Sequence, residues 1–153
     1  MIFHEAIKRS LEETKKGKIV TFGIKPVNPA TGYGYIRAIN PIFGDICKPQ
    51  EIEKFIEKPT KEIAERLIID ERYSWNSGIF ISRASTLISE IEKYSPEIIK
   101  SCRNAFKNKV KDLDFERIDK TSFKECPSIS LDQAVMEKTN LGVVCPLDAG
   151  WCD

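Results

Sequence analysis

Between Gly17 and Pro59 the chain reads as three strands in succession, with no helical pattern between them. Ile19–Ile24 is a short β-branched and aromatic run, Tyr35–Ile39 is a second, and Ile52–Glu57 alternates apolar with charged residues as a half-exposed strand does. Parallel neighbours need a long crossover, in most cases a helix, whereas antiparallel ones need only a turn. Three adjoining strands therefore argue against a purely parallel, doubly wound sheet. Helical stretches flank the block on both sides, so the expected fold is α/β, three layers αβα around a mixed central sheet.

The flanking segments are explicit. Phe3, Ala6, Ile7 and Leu11 recur at helical spacing, and Gly17 behind Lys15 and Lys16 is a helix stop. Lys25–Gly34 and Pro41–Pro49 are loops. Thr60 is placed to cap a helix carrying Ile63, Ala64, Leu67 and Ile68. Asn76-Ser77-Gly78 reads as a turn leading into a strand at Ile79–Ile81. Helices follow with Leu87, Ile88, Ile91 and Tyr94, then from Pro96 with Ile98, Ile99, Cys102 and Phe106. Asn108–Lys120 is highly charged and reads as a surface connection with a short helix. A last helix starts at Ser130, and Leu141–Leu147 is the final strand.

Composition narrows the function classes. With 24 basic and 23 acidic side chains the formal charge is +1, which argues against a nucleic-acid binder. Apolar residues make up 41% of the 153, enough for a core and usual for one domain, so residues 1–153 read as a single unit. No apolar run has the length of a membrane span, and the opening residues lack the pattern of a secretory leader. The five cysteines are scattered and only one histidine is present, a pattern of reduced thiols in a cytoplasmic protein rather than of a zinc site.

Five short segments stand out. Gly32-Tyr33-Gly34 stands at a loop-to-strand junction, where a missing β-carbon lets backbone approach a ligand. Glu57-Lys58-Pro59 closes a strand, the usual place for a site in open α/β sheets. There a carboxylate accepts from hydroxyls and an ammonium pairs with phosphate. Asn76 offers a donor and an acceptor at once. Ser130 and Gln133 form a capping box and carry no chemistry. Asp148 and Asp153 lie in a glycine-containing loop after a strand, where oxygen donors suit a hard cation such as Mg²⁺.

Taken in order, Thr21-Phe22-Gly23-Ile24-Lys25-Pro26, Thr31-Gly32-Tyr33-Gly34-Tyr35-Ile36, Phe55-Ile56-Glu57-Lys58-Pro59, Trp75-Asn76-Ser77-Gly78-Ile79-Phe80, Ala134-Val135-Met136-Glu137-Lys138-Thr139 and Asp148-Ala149-Gly150-Trp151 resemble bacterial mannose-1-phosphate guanylyltransferases. These belong to the nucleotide-sugar pyrophosphorylase group of nucleotidyltransferases. The resemblance spans nearly the whole chain. It implies part of a Rossmann-like nucleotide-diphospho-sugar transferase domain, the sugar-phosphate-binding portion. The implied reaction joins mannose 1-phosphate to GTP and releases diphosphate, with Mg²⁺ as cofactor. By the resemblance Gly34 brings its backbone to the sugar, Glu57 and Asn76 bind mannose hydroxyls, Lys58 holds the sugar phosphate, and Asp153 is a Mg²⁺ ligand. Lys58 and Asp153 are thus the expected catalytic residues.

The sequence departs from the family pattern at both ends. The glycine-rich segment with arginine and lysine that cradles the nucleotide phosphates is absent, as is the aspartate-histidine pair, and Cys152 stands where serine is usual. The resemblance therefore implies a chain that meets GTP only together with a nucleotide-binding half. On that view Ile19–Ile24 and Leu141–Leu147 lack strand partners, so the chain is expected to self-associate or to lean on a complementing chain. Other readings compatible with the residues are a pyrophosphorylase for another sugar, a piece of a protein with an appended phosphomannose isomerase cupin, and a non-catalytic sugar-phosphate-binding or subunit-interaction module.

Overall fold

The computed structural model describes residues 2–44 and 48–151. In chain order it has α1 (Ile2–Lys15), β1 (Ile19–Ile24), β2 (Tyr35–Ala38), β3 (Gln50–Ile56), α2 (Lys61–Leu67), β4 (Tyr73–Ile81), α3 (Ala84–Tyr94), α4 (Pro96–Lys107), β5 (Val110–Asp112), β6 (Phe115–Arg117), α5 (Lys120–Lys124), a π-helical turn (Asp132–Met136) and β7 (Gly142–Pro146). These fall into two compact units, Met1–Leu87 with Thr139–Asp153, and Ile88–Lys138. No helix among the described residues is long and apolar enough to cross a membrane.

The first unit is built on a mixed sheet. β1 runs parallel to β7, and the pairs β1–β4, β4–β2, β2–β3 and β3–β7 are antiparallel. The α/β organisation and the mixed sheet are therefore as expected. The pairing of Gln50 and Glu51 with Val144 and Val143 closes the strand order into a ring. That closure corrects the expectation of open edges. β1 has a partner on each side, and so has β7 at Val143 and Val144, so the backbone groups expected to stand open there are in ladders.

Helix α1 covers one sheet face. Its buried line is Ala6, Ser10 and Thr14, whereas Leu11, expected in the apolar stripe, is 45% exposed. Small residues let the helix axis approach the strands closely. The two hydroxyls are satisfied by bonding back to helix carbonyls, Ser10 Oγ to Ala6 O at 2.8 Å and Thr14 Oγ1 to Leu11 O at 2.9 Å. Ala6 packs with Val20, Phe22, Val143, Cys145 and Leu147, and Gly17 ends the helix at φ +82°. Helix α2 adds Ala64 and Leu67 to a second cluster with Tyr35 and Trp75. Thr60 precedes α2 in extended backbone but makes no capping bond; its hydroxyl donates to Glu62 instead.

The second unit differs from the sequence reading most clearly between residues 108 and 120. Residues 108–120 hold an antiparallel ribbon, β5 with β6, where a short helix was expected, and α5 follows with Asp119 accepting from Ser122 N at 2.9 Å. The Ser130 cap is present as a 3.4 Å bond from Gln133 N. Ser95 Oγ donates to Ala134 O at 3.3 Å, tying the start of α4 to the π-helical turn.

Candidate functional site

The sheet registers bring the expected binding residues to one place. Tyr35 pairs with Ile56 on one side and with Trp75 on the other, so Gly34, Glu57 and Asn76 follow at the same end of three neighbouring strands. Asn76 N donates to Gly34 O at 2.7 Å. A β-carbon on Gly34 would lie 2.7 Å from Glu57 Oε2 and 3.2 Å from the Phe55 ring, so the carboxylate rests directly over this glycine's backbone. Glu57 is nearly covered, with 13% of its side chain exposed, and Lys58 Nζ lies 3.6 Å from its Oε1 on a mostly exposed chain.

Two backbone features hold this arrangement. Lys58 sits at φ +45°, a left-handed conformation that non-glycine residues rarely adopt and that costs about 1 kcal/mol or more. It turns the chain sharply between Glu57 and the buried Pro59. In β4 the segment expected as a turn lies inside the strand: Thr21 pairs with Phe80 and Gly23 with Asn76, leaving a bulge at residues 77–79 with Gly78 at φ +72°. Asn76 itself is 8% exposed, and its Oδ1 accepts from Thr21 Oγ1 at 2.7 Å.

Gly34, Glu57, Lys58 and Asn76 are thus neighbours. Asp153 lies outside the described residues. Asp148 is exposed just beyond β7. Among the described residues no group of three or more acidic, histidine or cysteine side chains is arranged to hold a metal. Asp148 alone is too small a donor set for a hard divalent cation.

Beside these residues lies a cavity of about 950 Å³ whose walls include Lys25, Tyr33, Trp75, Asp148 and Trp151. Gly34, Glu57, Lys58 and Asn76 are not among its lining residues. Trp75 and Asn76 are consecutive in β4, and successive strand side chains point to opposite faces, so the cavity and the polar group occupy two faces of one strand end. Tyr33 packs edge-on against Trp75 and against Trp151, both with ring centroids 5.1 Å apart. These rings fasten the loop after β7 to the loop before β2. Each ring stands in one of the segments noted above, but no spacing in the sequence shows that they meet.

The whole chain, residues 1–153, matches the family model described as nucleotidyl transferase. The chain belongs to the nucleotidyl transferase family. Among its relatives are a mannose-1-phosphate guanylyltransferase of Salmonella montevideo, 46% identical over 154 residues, and xanthan biosynthesis protein XanB of Xanthomonas campestris, 44% identical over 151. Both alignments cover 99% of this chain and 31–32% of the relative, so the chain spans about a third of the length of the curated relatives it matches. Two solved structures share the fold at 28% identity. One, described as mannose-6-phosphate isomerase from Helicobacter pylori, has a TM-score of 0.87, covering 99% of this chain and 58% of that one. The other, described as mannose-1-phosphate geranyltransferase from Thermus thermophilus, has a TM-score of 0.75, covering 95% and 39%.

Proposed function

We propose that this nucleotidyl transferase chain is the sugar-phosphate-binding portion of a mannose-1-phosphate guanylyltransferase, which converts GTP and mannose 1-phosphate to GDP-mannose and diphosphate. The observation that carries the reading is the meeting of Gly34, Glu57, Lys58 and Asn76 at one end of three adjacent strands. Glu57 accepts hydrogen bonds from sugar hydroxyls, Asn76 bonds a neighbouring hydroxyl, and the bare backbone of Gly34 lets the ring approach. Lys58, exposed beside Glu57, meets the phosphate. In this reading the sugar phosphate oxygen attacks the α-phosphorus of GTP. The chain's own contribution is to hold that oxygen in line, which is worth much in a reaction governed by positioning and charge. Asp153 is proposed as a ligand of the Mg²⁺ that would neutralise the phosphates. The 153 residues contain no glycine-rich phosphate cradle, so in this reading GTP is bound together with a nucleotide-binding half that lies outside these residues. A cytoplasmic setting agrees with Cys102 and Cys126, which form no disulfide among the described residues.

Titration calorimetry with mannose 1-phosphate tests the reading. Weak saturable binding is expected, and Lys58→Ala should weaken it by about 1.5–3 kcal/mol, the worth of a charge-assisted contact. Glu57→Gln should weaken sugar phosphate but not inorganic phosphate. Equal isotherms for wild type and Lys58→Ala would remove Lys58 from the site. Turnover with GTP and Mg²⁺ is expected only when a nucleotide-binding half is supplied; robust turnover by this chain alone would overturn that part.

A further inference from the structure

The register between β1 and β4 has a consequence for Asn76. Val20 pairs with Ile81 and Thr21 with Phe80, but Gly23, two residues further on, pairs with Asn76, four residues back. The two additional residues of β4 form the bulge around Gly78. The bulge sets Asn76 opposite Gly23, two positions along from Thr21 and within reach of its side chain, where a ladder continued regularly from Thr21–Phe80 would set it opposite Lys25, four positions along. Thr21 is fully buried. Its Oγ1 lies 2.7 Å from Asn76 Oδ1 and 3.1 Å from Ile79 O. A hydroxyl has one proton to donate, and the shorter contact is to the amide oxygen. Threonine is branched at Cβ and therefore stiff at χ1, so the direction of this hydroxyl is fixed by the strand that carries it. Asn76 is held from its other side by the bond from its backbone N to Gly34 O.

We infer that Thr21 is a positioning residue for Asn76: its hydroxyl holds the amide oxygen and so turns the amide nitrogen away from β1. Asn76 then recognises its ligand as an N–H donor, while Glu57 recognises it as an acceptor. A donor and an acceptor side by side fit two hydroxyls of one ring, the first accepting and the second donating. This rests on the proposed binding of mannose 1-phosphate at Asn76 and Glu57. It adds a residue that touches no ligand and acts through a hydroxyl buried in the sheet.

The test combines Thr21→Val, which keeps the branched shape and removes the hydroxyl, with Thr21→Ser, which keeps the hydroxyl. Thr21→Val should lose about ten-fold in affinity for mannose 1-phosphate, with inorganic phosphate binding unchanged, and Thr21→Ser should restore it. The Asn76 side-chain amide signals in a nitrogen-correlated NMR spectrum, identified by their loss in Asn76→Asp, should move in Thr21→Val and stay in Thr21→Ser. Equal sugar-phosphate binding by wild type and Thr21→Val, or a serine variant as weak as the valine one, overturns the inference and leaves the proposed function standing. If wild type does not bind mannose 1-phosphate, the proposed function falls, and the amide signals alone decide whether Thr21 sets Asn76. Should Thr21→Val not fold, the wild-type Thr21 hydroxyl proton decides. Slow exchange with cross-peaks to the Asn76 side chain supports the inference, and cross-peaks to Ile79 alone overturn it.

Discussion

The two ends of strand β2 treat polar side chains in opposite ways. At its far end Arg37 lies between Glu53 at 3.3 Å and Asp70 at 3.4 Å, and Arg72 closes on Asp70 at 2.8 Å. Asp70 also accepts from Arg72 N and Nε, at 3.1 and 3.0 Å. That carboxylate is saturated by neighbours from its own turn, and the backbone around it is ordinary. At the near end Glu57 and Lys58 stand 3.6 Å apart, Lys58 is in a left-handed conformation, and β4 is bulged at Gly78. Conformations that cost energy persist where the surroundings impose them, and they collect at functional sites. The far end is built for stability, and the near end is built to keep particular groups in particular places.

Crowding a glycine at a rigid spot gives the largest expected effect and sharpens this contrast. A β-carbon on Gly23 would fall 2.6 Å from Ile42 Cδ1, 2.6 Å from Ser74 Oγ and 2.8 Å from Val144 Cγ2. Three side chains on separate segments close around it, and all three are fully buried, so each must turn aside within a packed interior. Gly23→Ala should therefore cost about 3 kcal/mol, the upper part of the overpacking range, measured by denaturant unfolding. An unchanged midpoint would show that the ring of strands is looser than these contacts imply.

Lys58 separates stability from function at one position. Glycine adopts φ +45° freely, so Lys58→Gly should stabilise the fold by about 1 kcal/mol and weaken mannose 1-phosphate binding by about 1.5–3 kcal/mol. A variant that is less stable than wild type would break the assignment of strain to the near end. Gly34→Ala tests the same end more gently. The atom it meets first is the tip of the Glu57 side chain, at 2.7 Å, and a side-chain tip can move aside. Stability should change little while sugar-phosphate affinity falls about ten-fold, or roughly 1.4 kcal/mol.

Local features of this chain were legible in its sequence, and long-range ones were not. Ile19–Ile24 is a strand over those same residues, α4 begins at Pro96, and Gly17 stops α1, because each rests on side-chain chemistry next to it in the chain. The closing pair β3–β7 joins residues more than ninety apart through ordinary valines, which no local pattern marks. Asn76-Ser77-Gly78 carries turn chemistry and was expected as a turn, but its pairing with β1 makes it a bulge within a strand. The ribbon of β5 and β6 turns at Leu113, with φ +53°, where neither glycine nor asparagine signals it. Gly34, Glu57, Lys58 and Asn76 were readable as site candidates because glycines, charges and amides at strand ends are conspicuous. Thr21 was not, since a threonine in a β-branched run looks like any other strand residue until the bulge sets it against Asn76.

The smallest expected effect probes the stabilising end through pH. The side-chain hydrogen bond from Arg72 holds the Asp70 carboxyl down to about 2, against an ordinary value near 3.8, with partial burial opposing the shift. The folded-state value is thus the lower one. The stability it contributes is complete above about pH 4 and is lost as pH falls toward 2. Asp70 and Arg72 both keep about a third of their side-chain surface in water, which screens the interaction. Asp70→Asn should therefore cost only about 1 kcal/mol at neutral pH. The gap between wild type and variant in denaturant unfolding should narrow from pH 4 downward and be mostly gone by pH 2. Binding of mannose 1-phosphate should not change, because the substitution is at the far end of β2. A stability gap that persists undiminished at pH 2 would mean that Asp70 acts through packing. A loss of binding at neutral pH would mean that the two ends are coupled through the four residues of β2.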